Sequence, residues 1–217
     1  MNTKSKVVLA GAGCILIAAG SVLGTLAFMT STDTAVNTFT VGKVEIDLNE
    51  FDYDGDDDTK KNEYHLIPGT EYQKDPTITV KQGSEEAYVR MIITVYNHST
   101  VKEIIADTDN GIEEFTDFLG GMDSSIWTYK GSTENSDDNT ISYEYRYYKP
   151  VSGLSADVEL EPLFDKLIIP DTLDGDELLA LYDGGFRIDV EGHAIQTAGF
   201  EDSEAKAWEA FSDQTGK

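Results

Sequence analysis

The chain has 217 residues, of which 41 are acidic and 16 basic, and its formal net charge at neutral pH is −25. Such a surface repels phosphate groups, so the composition argues against binding to nucleic acid or anionic membranes, which requires clustered Lys and Arg. The same charge attracts cations and opposes the close packing of identical copies at neutral pH.

The first 27 residues are predicted to form a helical signal peptide for export. Two lysines open the chain, and the 22 residues from Val7 to Phe28 carry no charge. Thr25 and Ala27 place small residues just before a cut between Ala27 and Phe28, which completes the secretory pattern. Because about 20 apolar residues span a bilayer, the same run also suits an uncleaved anchor, which would be the protein's membrane attachment.

Cleavage would remove Cys14, the single cysteine, together with two lysines. The mature chain would then lack any disulfide, thiolate metal ligand or cysteine nucleophile. Its net charge would be −27, from 14 basic residues (16 less two) against 41 acidic ones. Its 190 residues (217 less 27) suffice for one domain, predicted at 28–202, followed by a C-terminal amphipathic helix and tail at 203–217.

Apolar and polar residues alternate in several short stretches of the mature chain, which predicts β-strands. The predicted strands, in chain order, are Thr38–Leu48, Thr77–Lys81, Ala87–Asn97, Ile126–Lys130, Ile141–Lys149, Leu163–Ile169 and Gly185–Gln196. Ala87–Asn97 is β-branched and aromatic on both faces, as expected of a central strand. The strands at 126–130 and 141–149 are predicted to form a hairpin around a polar connection at 131–139.

Helices are predicted at three short stretches: Gly111–Leu119, Asp176–Tyr182 and the segment that begins after a capping Ser203. Trp208 and Phe211 of the last helix are expected to dock on the body of the protein, and the final residues 212–217 to be frayed. Many short strands with few helices predict an all-β fold, an antiparallel jelly-roll-like β-sandwich with short peripheral helices.

Tyrosines form a stripe on one face of the predicted strand ISYEYRYYK. Tyr143, Tyr145 and Tyr147 share this face with Ile141, opposite a polar face. Amphipathic rings of this kind pack well in a sheet, so we interpret the stripe as core or sheet surface rather than a ligand site.

Three stretches resemble the TasA/camelysin family of bacterial proteins, which are exported through a SipW-type signal peptidase. They are the signal junction at Leu23–Leu48, the segment Lys74–Val95 that follows a Pro68-Gly69 turn, and the closing segment Phe186–Phe211. The resemblance implies a jelly-roll fold and secretion by a Gram-positive bacterium to the extracellular matrix or cell surface. For the TasA branch it also implies assembly into biofilm-matrix fibres, in which the mature N-terminus of one subunit completes the sheet of its neighbour.

The segment that would complete a neighbouring sheet is here Phe28–Thr38, called the leader below. It is rich in threonine, contains neither Pro nor Gly, and carries one charge at Asp33. A strand of this kind can pair through its backbone. Alternate residues of the leader are the candidate donor positions: Phe28, Thr30, Thr32, Thr34 and Val36. Two alternatives are a flexible tail and the first strand of the leader's own domain.

The camelysin branch is classed as a group of metallopeptidases, so the resemblance makes the histidines candidate zinc ligands. His65, His98 and His193 are the three histidines, and none has a second histidine three to five residues away. No H-E-x-x-H motif is present, and no catalytic residue can be assigned from spacing. Each histidine is interpreted as an ordinary strand or loop residue, and the chain is interpreted as more consistent with a non-enzyme.

An acidic loop follows the first predicted strand and has the ligand spacing of an EF-hand calcium loop. Carboxylates occupy positions one, three, five, seven and twelve of DYDGDDDTKKNE: Asp52, Asp54, Asp56, Asp58 and Glu63. Two features depart from that pattern, because Asp57 replaces the glycine of position six and no helix flanks the loop. Ca²⁺ is therefore the single candidate cofactor, and a solvated acidic loop is the alternative.

Together these observations favour a secreted structural protein of the biofilm matrix that forms homo-oligomers or polymers by donating its N-terminal strand. On this hypothesis, neutralisation of the negative charge by calcium or acid promotes association. Two alternatives remain open: a secreted metalloendopeptidase, and a monomeric surface module that binds an unidentified partner.

Overall fold

A computed structural model of the chain describes residues 30–32, 43–53, 62, 64–107, 111–201 and 203–216, and at 30–32 it describes the backbone. The predicted signal helix and the bond between Ala27 and Phe28 lie outside the described residues. The described part consists mostly of strands in antiparallel sheets with few short helices, which confirms the all-β class.

The described strands belong to three sheets and are numbered in chain order. They are β1 (Thr30–Thr32), β2 (Ile46–Asn49), β3 (Glu71–Gln73), β4 (Thr77–Val80), β5 (Ala87–Tyr96), β6 (Leu119–Gly120), β7 (Trp127–Asn135), β8 (Thr140–Tyr147), β9 (Val158–Glu159), β10 (Lys166–Ile168) and β11 (Arg187–Gln196). The helices are α1 (His98–Ala106), α2 (Gly175–Asp183) and α3 (Glu204–Thr215), with a 3₁₀ turn at Phe115–Phe118.

The largest sheet has the strand order β1-β11-β5-β8-β7, and all of its pairings are antiparallel. β5 and β11 pair over their full length, from Ala87 opposite Gln196 to Tyr96 opposite Arg187. Every second side chain of β5, including Met91 and Ile93, is completely buried on the core face. The prediction of a central strand at this position is confirmed.

A three-stranded sheet, β2-β4-β9, packs against the core face of β11. Gly192 of β11 permits this close approach, because a Cβ atom at that position would lie 2.9 Å from Cδ1 of Ile78 on β4. The facing sides of the large sheet and of the β2-β4-β9 sheet bury their apolar residues in one core, and the third sheet, β3-β10-β6, extends this core.

The sequence did not predict α1, which directly follows β5. Its start depends on tertiary contacts, because Asn97 adopts a left-handed backbone (φ 58°) and the side chain of Asn139 accepts the N–H of Ser99 at 2.8 Å. Val101 and Ile104 then point into the core one helical turn apart. β-Branched residues lower the local helix signal of this segment, so packing decides its conformation.

The predicted helix at Gly111–Leu119 is wrong. Phe115–Phe118 forms a single 3₁₀ turn, and Leu119 begins β6, where it pairs with Leu167 of β10. The carboxylate of Asp117 accepts the N–H groups of Glu113 and Glu114 at 2.7 and 3.1 Å, which closes the chain into a tighter turn than an α-helix.

The hairpin of β7 and β8 is confirmed, but both strands approach a turn at residues 136–139 that is shorter than predicted. Tyr145 and Tyr147 are buried, and Tyr143 stacks on Phe115 with ring centroids 5.2 Å apart, which confirms the core interpretation of the tyrosine stripe. Of the strand predicted at Leu163–Ile169, only Lys166–Ile168 pairs in a sheet.

The predicted C-terminal helix is confirmed as α3. The hydroxyl of Ser203 caps its first turn by accepting the N–H of Lys206 at 3.3 Å. Trp208 and Phe211 are buried against the outer face of the large sheet, as predicted. The helix continues to Thr215, beyond the point where the sequence predicted a frayed tail, and Gly216 ends it in a left-handed conformation.

Candidate functional site at the β11 edge

The leader strand β1 lies next to β11 in the large sheet and pairs antiparallel with its own chain. Thr30 lies opposite Ile195, and Thr32 lies opposite His193. In this structure the segment is therefore a strand of its own domain, one of the two alternatives given above. The remaining donor positions, Phe28, Thr34 and Val36, lie outside the described residues, and pairing with another copy stays a prediction.

The described chain resumes at Lys43, close to one end of β11. The N–H of Glu85 donates to the carbonyl oxygen of Lys43 at 2.8 Å. The carbonyl of the next residue, Glu86, accepts the N–H of Thr197 at 2.9 Å. Lys43 is therefore placed beside the Gln196 end of β11, whereas Arg187 begins the strand at its far end.

Beside the leader, the outer face of β11 carries a buried histidine paired with a buried arginine. Arg90 is 6 % exposed and His193 is 2 % exposed. Nε of Arg90 donates to Nδ1 of His193 at 3.1 Å, while Nε2 of His193 lies 3.2 Å from a carboxylate oxygen of Glu191. Because guanidinium only donates, this geometry assigns the ring proton to Nε2 and describes a neutral imidazole.

Helix α3 covers this pair with two aromatic side chains. The ring of Phe211 stacks on His193 with centroids 4.8 Å apart. The guanidinium carbon of Arg90 lies 4.4 Å from the ring centroid of Trp208 and 5.0 Å from that of Phe211, so the cation faces both rings. The helix is thus held to the sheet by stacking and cation–π contacts as well as by apolar burial.

Two carboxylates complete the cluster under α3. Glu144 accepts from Nη1 of Arg90 at 3.4 Å and from Nε of Arg146 at 2.5 Å. A carboxylate oxygen of Glu204 lies 3.7 Å from Nη1 of Arg146 and accepts the indole N–H of Trp208 at 3.1 Å. Burial lowers the pKa of Arg90, and the nearby Glu144 acts in the opposite direction. A buried cation of this kind depends on its partners, because losing one leaves its charge uncompensated.

The opposite edge of the same sheet is formed by β7. Its residues from Thr128 to Asn135 are exposed apart from Gly131, which is partly buried. The register to β8 shifts between Tyr129 and Gly131, which leaves Lys130 in a bulge. Bulges and charged side chains are features that discourage an edge strand from pairing with another chain.

The acidic loop is described at its two ends. The side chain of Asn62 accepts the N–H of Tyr53 at 2.7 Å and donates to the carbonyl of Phe51 at 3.0 Å, which ties the ends together. Asp52 is partly buried. The other four candidate ligands, Asp54, Asp56, Asp58 and Glu63, lie outside the described residues, so the calcium site stays a prediction.

The three histidines lie in different parts of the fold. His65 is exposed in a loop, His98 is buried at the start of α1, and His193 is buried on β11. In the part of the chain that the structure describes, no three His, Cys, Asp or Glu side chains converge in a metal-binding arrangement. The metallopeptidase hypothesis therefore gains no candidate residues from these segments.

Sequence reasoning missed the cluster of Arg90, Glu144, Arg146 and His193. Its members are distributed over β5, β8 and β11, so no local spacing brings them together. One signal was present: Arg90 interrupts an otherwise apolar, central strand, and a buried arginine in such a strand needs partners from neighbouring strands.

Comparison with protein-family models, with curated proteins and with solved structures finds no match for this chain. Among the described residues, no helix combines the length and the apolar character needed to cross a bilayer.

Proposed function

We propose that this protein is a secreted structural protein of the extracellular matrix or cell surface. Copies associate when the leader of one pairs with the side of β11 that faces β1 in another, which we call the β11 edge. The sheets together form a jelly-roll-like sandwich. One observation carries the proposal: the segment that export would leave at the N-terminus already pairs at the edge of the large sheet, beside β11.

Pairing through the backbone supports exchange of the leader between copies. The hydrogen bonds between β1 and β11 join main-chain atoms, and an identical leader from a second copy offers the same atoms. Exchange of an identical element between protomers costs little, because the contacts that are lost in one copy are regained in the other.

The register favours a second copy along the full edge. The residue numbers of each β1–β11 pair add up to 225, as for Thr30 and Ile195. A strand continued in this register would therefore place Thr38 opposite Arg187. Five residue steps lead from Thr38 to Lys43 and reach about 18 Å at most. Lys43 lies at the other end of β11, and the nine residue steps from Arg187 to Gln196 measure about 31 Å. On this reckoning a leader tethered to its own Lys43 would be too short to pair along the whole of β11, whereas a leader from another copy would have no such tether.

The proposed polymer is head-to-tail. Each copy would contribute one leader and one β11 edge, which is a heterologous contact that propagates into an open chain. The bulged and charged β7 edge opposes a second mode of growth through the same sheet. The mature charge of −27 adds repulsion between copies, so calcium or acidification is expected to promote association.

The test compares mature protein (28–217) with a variant that lacks the leader (39–217), using electron microscopy and light scattering across pH and calcium concentration. We expect fibres from the first protein and none from the second. A synthetic leader peptide, residues 28–38, should bind the shortened protein in a 1:1 complex. A matched peptide with Ser31→Pro and Thr32→Pro should bind much more weakly, because proline donates no backbone hydrogen bond. Fibres that form equally well without residues 28–38 would refute strand donation.

A further inference from the structure

We infer that His193 makes leader exchange depend on pH, by holding helix α3 and the leader in place while its imidazole is neutral and loosening both when it is protonated. This inference rests on the proposed function, since leader exchange is the step that it regulates. The behaviour of α3 itself can be measured in the monomer without any assembly.

The leader and α3 share the same two residues of β11. The backbone of His193 and Ile195 lies opposite Thr32 and Thr30 of the leader. The side chains of the same two residues pack under α3, where His193 stacks on Phe211 and Ile195 joins the helix's apolar cluster. Local opening that frees α3 therefore removes support from the stretch of β11 that pairs with the leader.

The hydrogen bond from Arg90 requires a neutral ring. Nδ1 of His193 accepts Nε–H of Arg90 at 3.1 Å, and a protonated Nδ1 has no lone pair to accept it. Protonation would place two cations and two donor hydrogens against each other in a buried site. Arg90 has little freedom to withdraw, because Glu144 and the rings of Trp208 and Phe211 surround it.

The described charged groups of the cluster around Arg90 and His193 are Arg90 on β5, Glu144 and Arg146 on β8, Glu191 on β11, and Glu204 on α3. The three carboxylates would favour the protonated ring. However, Glu191 is 46 % exposed and therefore screened by water, and Glu144 and Glu204 already pair with arginine. Arg90 is buried and donates directly to Nδ1, so its hydrogen bond favours the neutral ring.

The sign of the pH dependence follows from this arrangement. The folded cluster holds the neutral ring, so its stabilisation is complete above the titration range of histidine and is lost as the pH falls. A free imidazole titrates at a pKa of about 6.5, and carboxylates titrate near 4. Opening of α3 should therefore begin between about pH 6.5 and 5, before general neutralisation of the acidic surface.

Hydrogen exchange of the monomeric mature protein tests the inference at pH 7.5 and 5.5, after correction for intrinsic exchange rates. We expect protection of α3 and of residues 193–196 to fall about tenfold from pH 7.5 to pH 5.5. At pH 5.5 a free imidazole with a pKa of about 6.5 is protonated about ten to one, which favours the open form by that factor. Protection of the core strand β5 should not change.

Two variants make the test specific to His193. His193→Gln offers an amide oxygen to Arg90 and an amide N–H to Glu191 at every pH, so α3 should stay protected at both pH values. His65→Gln, at an exposed histidine, should behave like the wild type. Ring ¹⁵N chemical shifts of wild-type His193 supply a check that needs no variant, since Nδ1 should be unprotonated at pH 7.5 and protonated as α3 opens.

Two results would overturn the inference: equal protection of α3 in the wild type at both pH values, or an unchanged loss of protection in His193→Gln. A His193 ring that stays neutral while α3 opens would also overturn it. If α3 opens as expected but fibres form equally without the leader, the helix response is upheld and strand donation is refuted. The two proposals can therefore fail separately.

Discussion

The two edges of the large sheet differ in how they meet other strands. At one edge, β11 pairs with the threonine-rich leader over Thr30–Thr32, and α3 packs on the same residues of β11 from the outer face. At the other edge, β7 is exposed along most of its length, carries Lys130 and Glu134, and is interrupted by a bulge. One sheet thus combines an edge where a strand pairs with an edge whose bulge and charges discourage pairing, and this difference would give the proposed assembly its direction.

The largest expected effect is a loss of stability when the Arg90–His193 cluster behind the β11 edge is disrupted. Arg90→Met removes the hydrogen-bond donor to His193 and one of the two arginines that pair with Glu144. Because the remaining groups lose their buried partner, we expect the free energy of unfolding to fall by about 3 kcal/mol. Arg187→Met is the matched control at the far end of β11, where the side chain is 58 % exposed, and should cost less than about 1 kcal/mol. Urea denaturation followed by tryptophan fluorescence measures both. Equal losses would show that the buried cluster gives the edge no special support.

The next effect concerns the leader's backbone. Successive N–H groups of a strand point to opposite sides, so the double change Ser31→Pro and Thr32→Pro removes at least one donor that faces β11. We expect the yield of fibres to fall by at least about tenfold, which corresponds to the loss of roughly one hydrogen bond's net free energy. Ser31→Ala with Thr32→Val keeps both N–H groups and should assemble normally. Failure of this control would show that the side chains, rather than the backbone, determine pairing.

A smaller effect is expected when the β7 edge loses its protection. Deleting the bulged Lys130 and changing Glu134→Thr would restore an even, uncharged edge next to β8. We expect lateral association at about tenfold lower protein concentration, measured by sedimentation velocity at neutral pH. The leader-deleted protein with the same changes should associate equally, because this contact does not use the leader. An unchanged monomer would show that the bulge does not limit association.

The smallest effect is on how stability changes with pH near β7, through the buried tyrosines of the neighbouring strand β8. Burial raises the pKa of Tyr143 and of Tyr145 to about 12, so the native sheet holds both phenols neutral. Their stabilisation is complete below an unfolded pKa of about 10 and is lost as the pH rises towards 12. Between pH 9 and pH 11, the free energy of unfolding should therefore fall by about 1 kcal/mol less in Tyr143→Phe than in the wild type. Identical pH profiles for the two proteins would contradict this assignment.

Local patterns predicted the strands whose burial alternates in a regular way. β5 and β11 were predicted within two residues of their ends because apolar residues mark one face along their whole length. α3 was predicted from its cap at Ser203 and from Trp208 and Phe211. These elements need no knowledge of the rest of the chain, because their own residues specify which face is buried.

Other elements depend on residues that are distant in sequence. α1 begins where Asn139, 40 residues further on, accepts the N–H of Ser99. Phe115 and Phe118 are spaced as well for a 3₁₀ turn as for an α-helix, and Asp117 selects the turn. The cluster around Arg90 joins three strands and a helix, so it is determined by the topology of the sheet rather than by a motif.

The pairing of β1 with its own β11 has a kinetic consequence for a polymer that grows by leader exchange. Each newly exported molecule would arrive with this part of its edge already covered, so growth would substitute one strand for an equivalent one rather than fill a vacant groove. Replacing a copy's own leader with one from another copy is nearly neutral in enthalpy. Whether the replacement is favoured depends on protein concentration and on the extra length of β11 that the other copy's leader can cover. The waiting time before the first exchange, rather than the strength of the final contact, would then decide when a matrix begins to form.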